Sequence, residues 1–418
     1  MGKQTTVLAA ILIVALGCSK QEVKEAGQRA QDATTRAVDK AADAIDVAVP
    51  IGGRDDPAAR EKERLDEQWR QLESLREAQA RAAQAPAPPP PADLKVTFVQ
   101  NGKESFKGLD PNAINNAPVV VPLKGDVAGP SVLKTQVFLD RSGFSVGALD
   151  GRWGRNSAIA LWWFQRSRGV AATEPGALDE QTYRVLASTA GADQQALVQH
   201  TLTEDDVKGP FVSIPEDVYD KAKLDCLCYE SVKEKLAEKF HTTIEFLEMV
   251  NPDAEFSAGS SIWVPNVRQP LTEDRPDIAR VQISIRGNTF NGFDAAGNLV
   301  FHSPTTLGSQ YDPSPRETVQ VTKITFDPHF HYQPTLFHEV PDSDPEANLS
   351  PGPNSPVGVV WVALSKPHFG IHGTSDPDSI GYASSHGCVR LTNWDAQDVA
   401  HRLSPGVQVE FVDTRTKT

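Results

Sequence analysis

Phe369-Gly370-Ile371-His372-Gly373-Thr374 and Ser384-Ser385-His386-Gly387-Cys388-Val389-Arg390 place two histidines and a cysteine among small residues, with 15 residues between His372 and Cys388. A lone buried histidine or cysteine usually reads as packing. Here the cysteine is flanked by glycine and stands two positions from an imidazole, where small residues permit close backbone approach. A thiol near its ordinary pKa is mostly protonated at neutral pH, so attack on a carbonyl needs a neighbouring base. Either His372 or His386 supplies one. If Ser385 to Arg390 form a strand, His386 and Cys388 share a face; spacing alone does not choose between the histidines.

Around these segments, residues 277–413 are rich in Val, Ile, Thr and Phe in short runs broken by Gly, Pro and Asn, the texture of an all-β unit with a β-sandwich or barrel-like core. Val281-Gln282-Ile283-Ser284-Ile285 alternates, Asn291-Gly292 and Ala296-Gly297-Asn298 read as turns, and an apolar strand begins at Val357. His329, His331 and His338 form a His-x-His…His pattern, but strand alternation and the missing carboxylate partner make them surface histidines, so no metal and no cofactor is expected. Tyr382 and Ser384 read equally as ordinary loop residues or as a lid or substrate contact.

The segments Ile371-His372-Gly373-Thr374 and Ser385-His386-Gly387-Cys388-Val389-Arg390, with Pro351-Gly352-Pro353-Asn354-Ser355-Pro356-Val357-Gly358 upstream, resemble the L,D-transpeptidase (YkuD) domain. The resemblance implies Cys388 as nucleophile and His372 as proton acceptor and donor, held by the carbonyl of Gly373. It implies oxyanion donors around Gly387 and Cys388, His386 as the family's second histidine, and Arg390 orienting the site or pairing a substrate carboxylate. The activity implied is that of a cysteine acyltransferase on peptidoglycan: a thioester with a tetrapeptide stem, passed to an amine as a 3→3 cross-link or a protein attachment, or to water as an L,D-carboxypeptidase. Papain-like order places Cys before His, opposite to this chain, and sortases place their Arg further beyond the Cys. A noncatalytic wall-binding lipoprotein is the remaining alternative.

Upstream, the chain of 418 residues is too long for one core. Residues 130–190 read as amphipathic helices around Asp150-Gly151-Arg152-Trp153-Gly154, with Gln136, Phe164 and Gln165 in an order that resembles the three-helix peptidoglycan-binding domain. Residues 225–267 give two short helices and a closing strand and resemble a LysM α+β module, its opening replaced by Leu224-Asp225-Cys226-Leu227-Cys228-Tyr229. A Cys-x-Cys pair lacks the second half of a zinc site, and no function is assigned to it. Such modules would bind wall glycan and raise the local concentration of stems.

Residues 1–18 place Lys3 before an apolar run from Val7 to Leu16, the layout of a secretory signal and too short to span a bilayer. Ala15-Leu16-Gly17-Cys18 resembles a bacterial lipobox, with Ala15 where Leu is usual, and implies lipidation of Cys18. Residues 19–95 read as a spacer, with a helix from Asp56 to Ala83 and a proline-rich end. The expectation is an exported protein of the periplasm or cell envelope, lipid-anchored to a membrane; Ser19 favours the outer membrane. A net charge of −14 without a basic, aromatic-bearing face excludes nucleic acid as a partner.

Overall fold

The computed structural model describes residues 110–412, apart from 126, 173, 175, 192, 194, 269–274, 286 and 310. All of them lie in the second of two compact units of the chain, Lys62–Thr418. The signal segment with Cys18, the spacer and its helix fall outside the described residues.

Four helices open this part: α1 (Pro111–Asn116), α2 (Pro130–Arg141), α3 (Arg155–Ser167) and α4 (Glu180–Thr189). Proline at the first turn of α1 and α2 costs no hydrogen bond, because that N–H has no intrahelical partner. Two buried glutamines fix the intervening loops. Gln136 Nε2 donates to Asp150, the Arg152 carbonyl and Ser157, while its Oε1 accepts from Gly151 N at 2.8 Å. Gln165 likewise donates to the Ala177 carbonyl and Thr182 and accepts from Gly176 N. The positions noted in the sequence are therefore loop fasteners, each satisfying polar groups that burial would otherwise leave unpaired.

Next come β1 (Leu197–Thr201), α5 (Glu204–Val207), α6 (Val218–Lys221), α7 (Val232–Lys239), α8 (Ile244–Val250) and β2 (Ser261–Pro265). β1 pairs antiparallel with β2 from Leu197↔Pro265 to Thr201↔Ser261. The two helices and closing strand expected from spacing are present, but the strand that completes the unit lies at 197–201, upstream of the boundary expected at 225. Local periodicity does not reveal which distant strand an edge will take. Nor is this a core apart from the helices: Phe138, Trp162 and Phe164 belong to one buried cluster with Leu236, Phe246, Ile262 and Val264.

The remainder holds β3 (Arg280–Ser284), β4 (Thr289–Phe293), β5 (Leu299–Pro304), β6 (Leu307–Gly308), β7 (Val319–Phe326), β8 (Phe330–Tyr332), β9 (Ala347–Leu349), β10 (Val360–Leu364), β11 (Gly370–His372), β12 (Ser384–Ser385), β13 (Val389–Arg390), α9 (Asn393–Arg402) and β14 (Gln408–Val412). Eight strands form one sheet in the order β13-β11-β10-β7-β14-β3-β4-β5, parallel at β11/β13 and β14/β3. Short pairs β6/β12 and β8/β9 flank it.

Three expectations are corrected or refined here. The catalytic-type unit is β-rich but not all-β, because α9 packs its buried Ala396, Val399 and Ala400 into the sheet core. Its start is written in Thr392, whose side chain accepts from Asp395 N as an N-cap. The expected sandwich or barrel-like core takes the form of one eight-stranded sheet flanked by two short strand pairs. Asn291-Gly292 is no turn: both lie inside β4, and a Cβ at Gly292 would come within 2.7 Å of Ile278, so glycine serves close packing there.

Arg268, just after β2, joins these parts. Its buried guanidinium pairs with Asp140 of α2 and with Asp395 and Asp398 of α9. Burial alone would raise Asp140, but Arg268 and His241 hold its carboxyl down to about 2. Ser145 and Ser303 both donate to Asp395, and His241 stacks on Trp394 with ring centroids 5.2 Å apart. Truncating Arg268 leaves three buried carboxylates short of their counter-charge, so Arg268→Ala is expected to lose about 3–5 kcal/mol of stability in urea unfolding. A loss below ~1 kcal/mol, the range of exposed pairs, would show that the network holds nothing together.

Candidate active site

β11 and β13 run parallel with Ile371↔Val389 and His372↔Arg390 in register. Successive strand side chains alternate faces, so Gly370, His372 and Arg390 share the face opposite Ile371 and Val389, and the Arg390 charge acts on both His372 and Cys388, which stands immediately before β13. The sheet thus brings together the thiol, the imidazole and the guanidinium that the sequence separates.

His372 is buried, 3% exposed, and its Nδ1 lies 2.7 Å from the Gly373 carbonyl. A carbonyl only accepts, so Nδ1 carries the proton and Nε2 keeps a lone pair. The Trp361 ring stacks on the imidazole at 5.4 Å, and Gly370 makes room for it, since a Cβ there would sit 2.6 Å from the indole. Burial, reinforced by the nearby Arg390 charge, lowers the His372 pKa to about 3. The imidazole is therefore neutral at pH 7.

Cys388 is the free cysteine of the described residues and is half-buried, with Sγ 3.6 Å from the His368 carbonyl. Burial pushes its thiol up, against the pull of the Gly370 backbone and Arg390. Gly387, at φ +101°, makes the bend before it; a Cβ there would meet the Phe369 ring at 2.7 Å. Ser385 Oγ donates to the Cys388 carbonyl at 2.6 Å and accepts from Gly387 N at 3.2 Å. Of the two amides expected to stabilise an oxyanion, that of Gly387 is thus already donated within the loop.

His386 is placed differently from the expectation of a shared strand. Ser384–Ser385 and Val389–Arg390 are separate strands, and the His386 ring turns to Glu339, with Nε2 2.5 Å from Oε1, and to the edge of Phe337. The His329, His331 and His338 pattern does not converge: His331 pairs with Glu346, while His338 pairs with Asp312 and Glu339. Tyr382 is exposed, and Ser384 begins β12 rather than lying in a loop.

Sequence reasoning missed Asn393. Its Oδ1 accepts from Val359 N at 3.3 Å and Thr374 N at 3.1 Å, and its Nδ2 donates to Glu238 at 2.9 Å and the Pro353 carbonyl at 3.1 Å. One amide side chain so fastens the Pro351–Gly358 stretch, the turn after His372 and α7. Glycine at 358 and 373 is required by it, because a Cβ at either would stand 2.0 Å from Asn393 Oδ1. The turn between the two motif segments is fastened from α3: Arg155 Nη1 donates to the Gly381 carbonyl at 2.6 Å and Asn156 Nδ2 to that of Ile380 at 3.0 Å.

Cys226 and Cys228 form a disulfide. Between them Leu227 is fully buried, donating its N–H to the Pro351 carbonyl and accepting from Asn354 N, which seats this bend on the Pro351–Gly358 stretch.

Two outcomes follow from this geometry. A raised thiol beside a neutral imidazole predicts that iodoacetamide labelling of Cys388 climbs through the alkaline range, with an apparent pKa above the ordinary thiol value. A plateau already reached below pH 7 would instead mean a resting thiolate–imidazolium pair. Asn393→Leu should lose about 1–3 kcal/mol in chemical denaturation, because buried donors are left unpaired; a change within ~0.5 kcal/mol is what an ordinary surface substitution gives.

Residues 279–411 match the family model described as the L,D-transpeptidase catalytic domain, YkuD. A putative L,D-transpeptidase YkuD of Bacillus licheniformis is 31% identical over 181 residues, covering 43% of this chain and 92% of that protein. Its counterpart in Bacillus subtilis (strain 168) is 45% identical over 62 residues, 15% of this chain and 38% of that one. Among solved structures, an L,D-transpeptidase from Mycobacterium smegmatis aligns with a TM-score of 0.27 at 20% identity, over 37% of this chain and 74% of that chain. At 31% identity over 92% of the B. licheniformis protein, the chain belongs to the YkuD family of L,D-transpeptidases.

Proposed function

We propose that this chain is an exported peptidoglycan L,D-transpeptidase in which Cys388 is the nucleophile and His372 the general base. The observation that carries the reading is the pairing of His372↔Arg390 beside Cys388, with the imidazole tautomer fixed by Gly373 so that Nε2 is the free acceptor.

In the first step Sγ of Cys388 attacks the carbonyl that joins the third residue of a tetrapeptide stem to its terminal D-Ala. His372 Nε2 takes the thiol proton as the S–C bond forms, and the carbonyl oxygen gathers charge against the Cys388 N–H. Collapse breaks the C–N bond, the imidazolium returns its proton to the departing D-Ala nitrogen, and a thioester remains. An acceptor amine then attacks the thioester, His372 removes its proton, and Cys388 leaves as the thiol. A neutral resting pair suits this sequence, because charge develops only when the substrate carbonyl is present to share it. Arg390 stabilises the transient thiolate character and orients the site. His386 acts on the geometry of the Cys388 loop through Glu339.

The same reading assigns the helical region 130–190 to peptidoglycan binding and residues 225–267 to a LysM-like role. Both would hold the enzyme on an insoluble substrate. Lipid at Cys18 would tether the other end to a membrane, with the outer membrane favoured. The acceptor is a stem-peptide amine or a lysine of a wall or outer-membrane protein; transfer to water gives L,D-carboxypeptidase activity.

The test is muropeptide and intact-mass analysis of the purified protein incubated with tetrapeptide muropeptides, beside Cys388→Ala. Expected are 3→3 dimers or shortened stems, and a thioester mass, all absent from the variant. Sedimentation with wall sacculi but no product and no thioester would replace this reading with a noncatalytic wall-binding protein.

A further inference from the structure

Four side chains from three separate segments meet beside the Cys388 loop: Asp312 from the β6–β7 connection, His338 and Glu339 from the β8–β9 connection, and His386 from the turn after β12. One ligand atom from each lies within 4.8 Å of all the others. The closest approaches are His386 Nε2 to Glu339 Oε1 at 2.5 Å, His338 Nδ1 to Asp312 Oδ2 at 2.7 Å and His338 Nδ1 to Glu339 Oε2 at 3.2 Å. In a tetrahedral zinc site, with bonds near 2.0–2.1 Å, neighbouring ligand atoms stand about 3.3 Å apart. The four atoms are therefore within small side-chain adjustments of that arrangement.

The donor set also has a chemistry. Two imidazoles with two carboxylates suit zinc and its first-row neighbours, whereas calcium and magnesium prefer oxygen alone. The rings are braced by aromatic neighbours, Tyr311 stacking on His338 at 5.0 Å and Phe337 edge-on to His386 at 4.8 Å. All four groups are partly open to solvent, with Asp312 the least exposed at 21%. An ion can enter without opening the fold.

We infer that Asp312, His338, Glu339 and His386 form a binding site for a zinc-class divalent cation that ties the β8–β9 connection to the loop carrying Cys388. The reading concerns metal binding and does not depend on the transpeptidase assignment. A bound ion would draw both His386 and Glu339 into coordination and hold the residues around Phe337 against the turn that precedes the thiol.

The experiment uses the tag-free full chain, stripped with chelator, and Zn2+ or Co2+ as the probe. Wild type and Cys388→Ala are each expected to take up one equivalent of Zn2+ saturably, while His338→Ala and, separately, Asp312→Asn weaken uptake at least about tenfold, as losing even an outer partner of a ligand does. Both variants alter solvent-accessible side chains, and circular dichroism reports whether each is folded. Co2+-loaded Cys388→Ala should show visible ligand-field bands without thiolate charge transfer. Zn2+ should slow limited proteolysis within residues 333–346 of Cys388→Ala and not when His338→Ala is added. Absence of saturable uptake, or uptake abolished by Cys388→Ala and kept by His338→Ala, overturns the site; proteolysis unaffected by the ion overturns the clamp.

Discussion

A single buried guanidinium, that of Arg268, sets the relation between the parts of this protein. It meets Asp140 from the helical region and Asp395 and Asp398 from the helix that follows the catalytic-type strands. Taking four charges out of water is costly, and the mutual attraction offsets that cost only when geometry and further hydrogen bonds are good. Here Ser145, Ser303 and His241 supply them. The consequence reaches the chemistry in a few steps, because the helix that carries Asp395 and Asp398 begins with Asn393, and Asn393 holds the Thr374 amide two residues beyond His372.

The candidate site holds its imidazole and its thiol uncharged. Burial and Arg390 keep the imidazole neutral, and burial keeps the thiol protonated. Burial of the imidazole makes a resting ion pair expensive. Arg390 favours thiolate at Cys388 and disfavours imidazolium at His372, so its charge acts in opposite senses on transfer of the thiol proton to the imidazole.

Support for the site arrives from regions that a domain list would set apart. The first residues of α3 hold the turn at 380–381, and the bend around Leu227 is seated on the stretch from Pro351. Gly381 and Gly352 record this contact: a Cβ at the first would meet Asn156 at 2.6 Å, and at the second the Leu227 carbonyl at 2.1 Å. Glycine in these segments permits close approach between distant parts of the chain, beyond any local turn.

The sequence by itself determined the β-rich texture after residue 277 and the helices around Asp150-Gly151, and it singled out His372, His386, Cys388 and Arg390 as candidates. Each of these is a matter of residue type or of short period, which neighbours in the chain carry. What only the tertiary structure decided depends on contacts across long separations. Alternation suggested that His386 would face Cys388, yet the bend at Gly387 sends its ring to Glu339, 47 positions away. Asn291-Gly292, expected as a turn, lies within β4 with Ile278 packed against Gly292, and β1 found β2 across 60 residues. Asn393 carries no signal in the sequence, because its four partners lie on three other segments and no spacing rule connects them. A side chain's partners are set by which surfaces pack together, and that is a property of the folded chain.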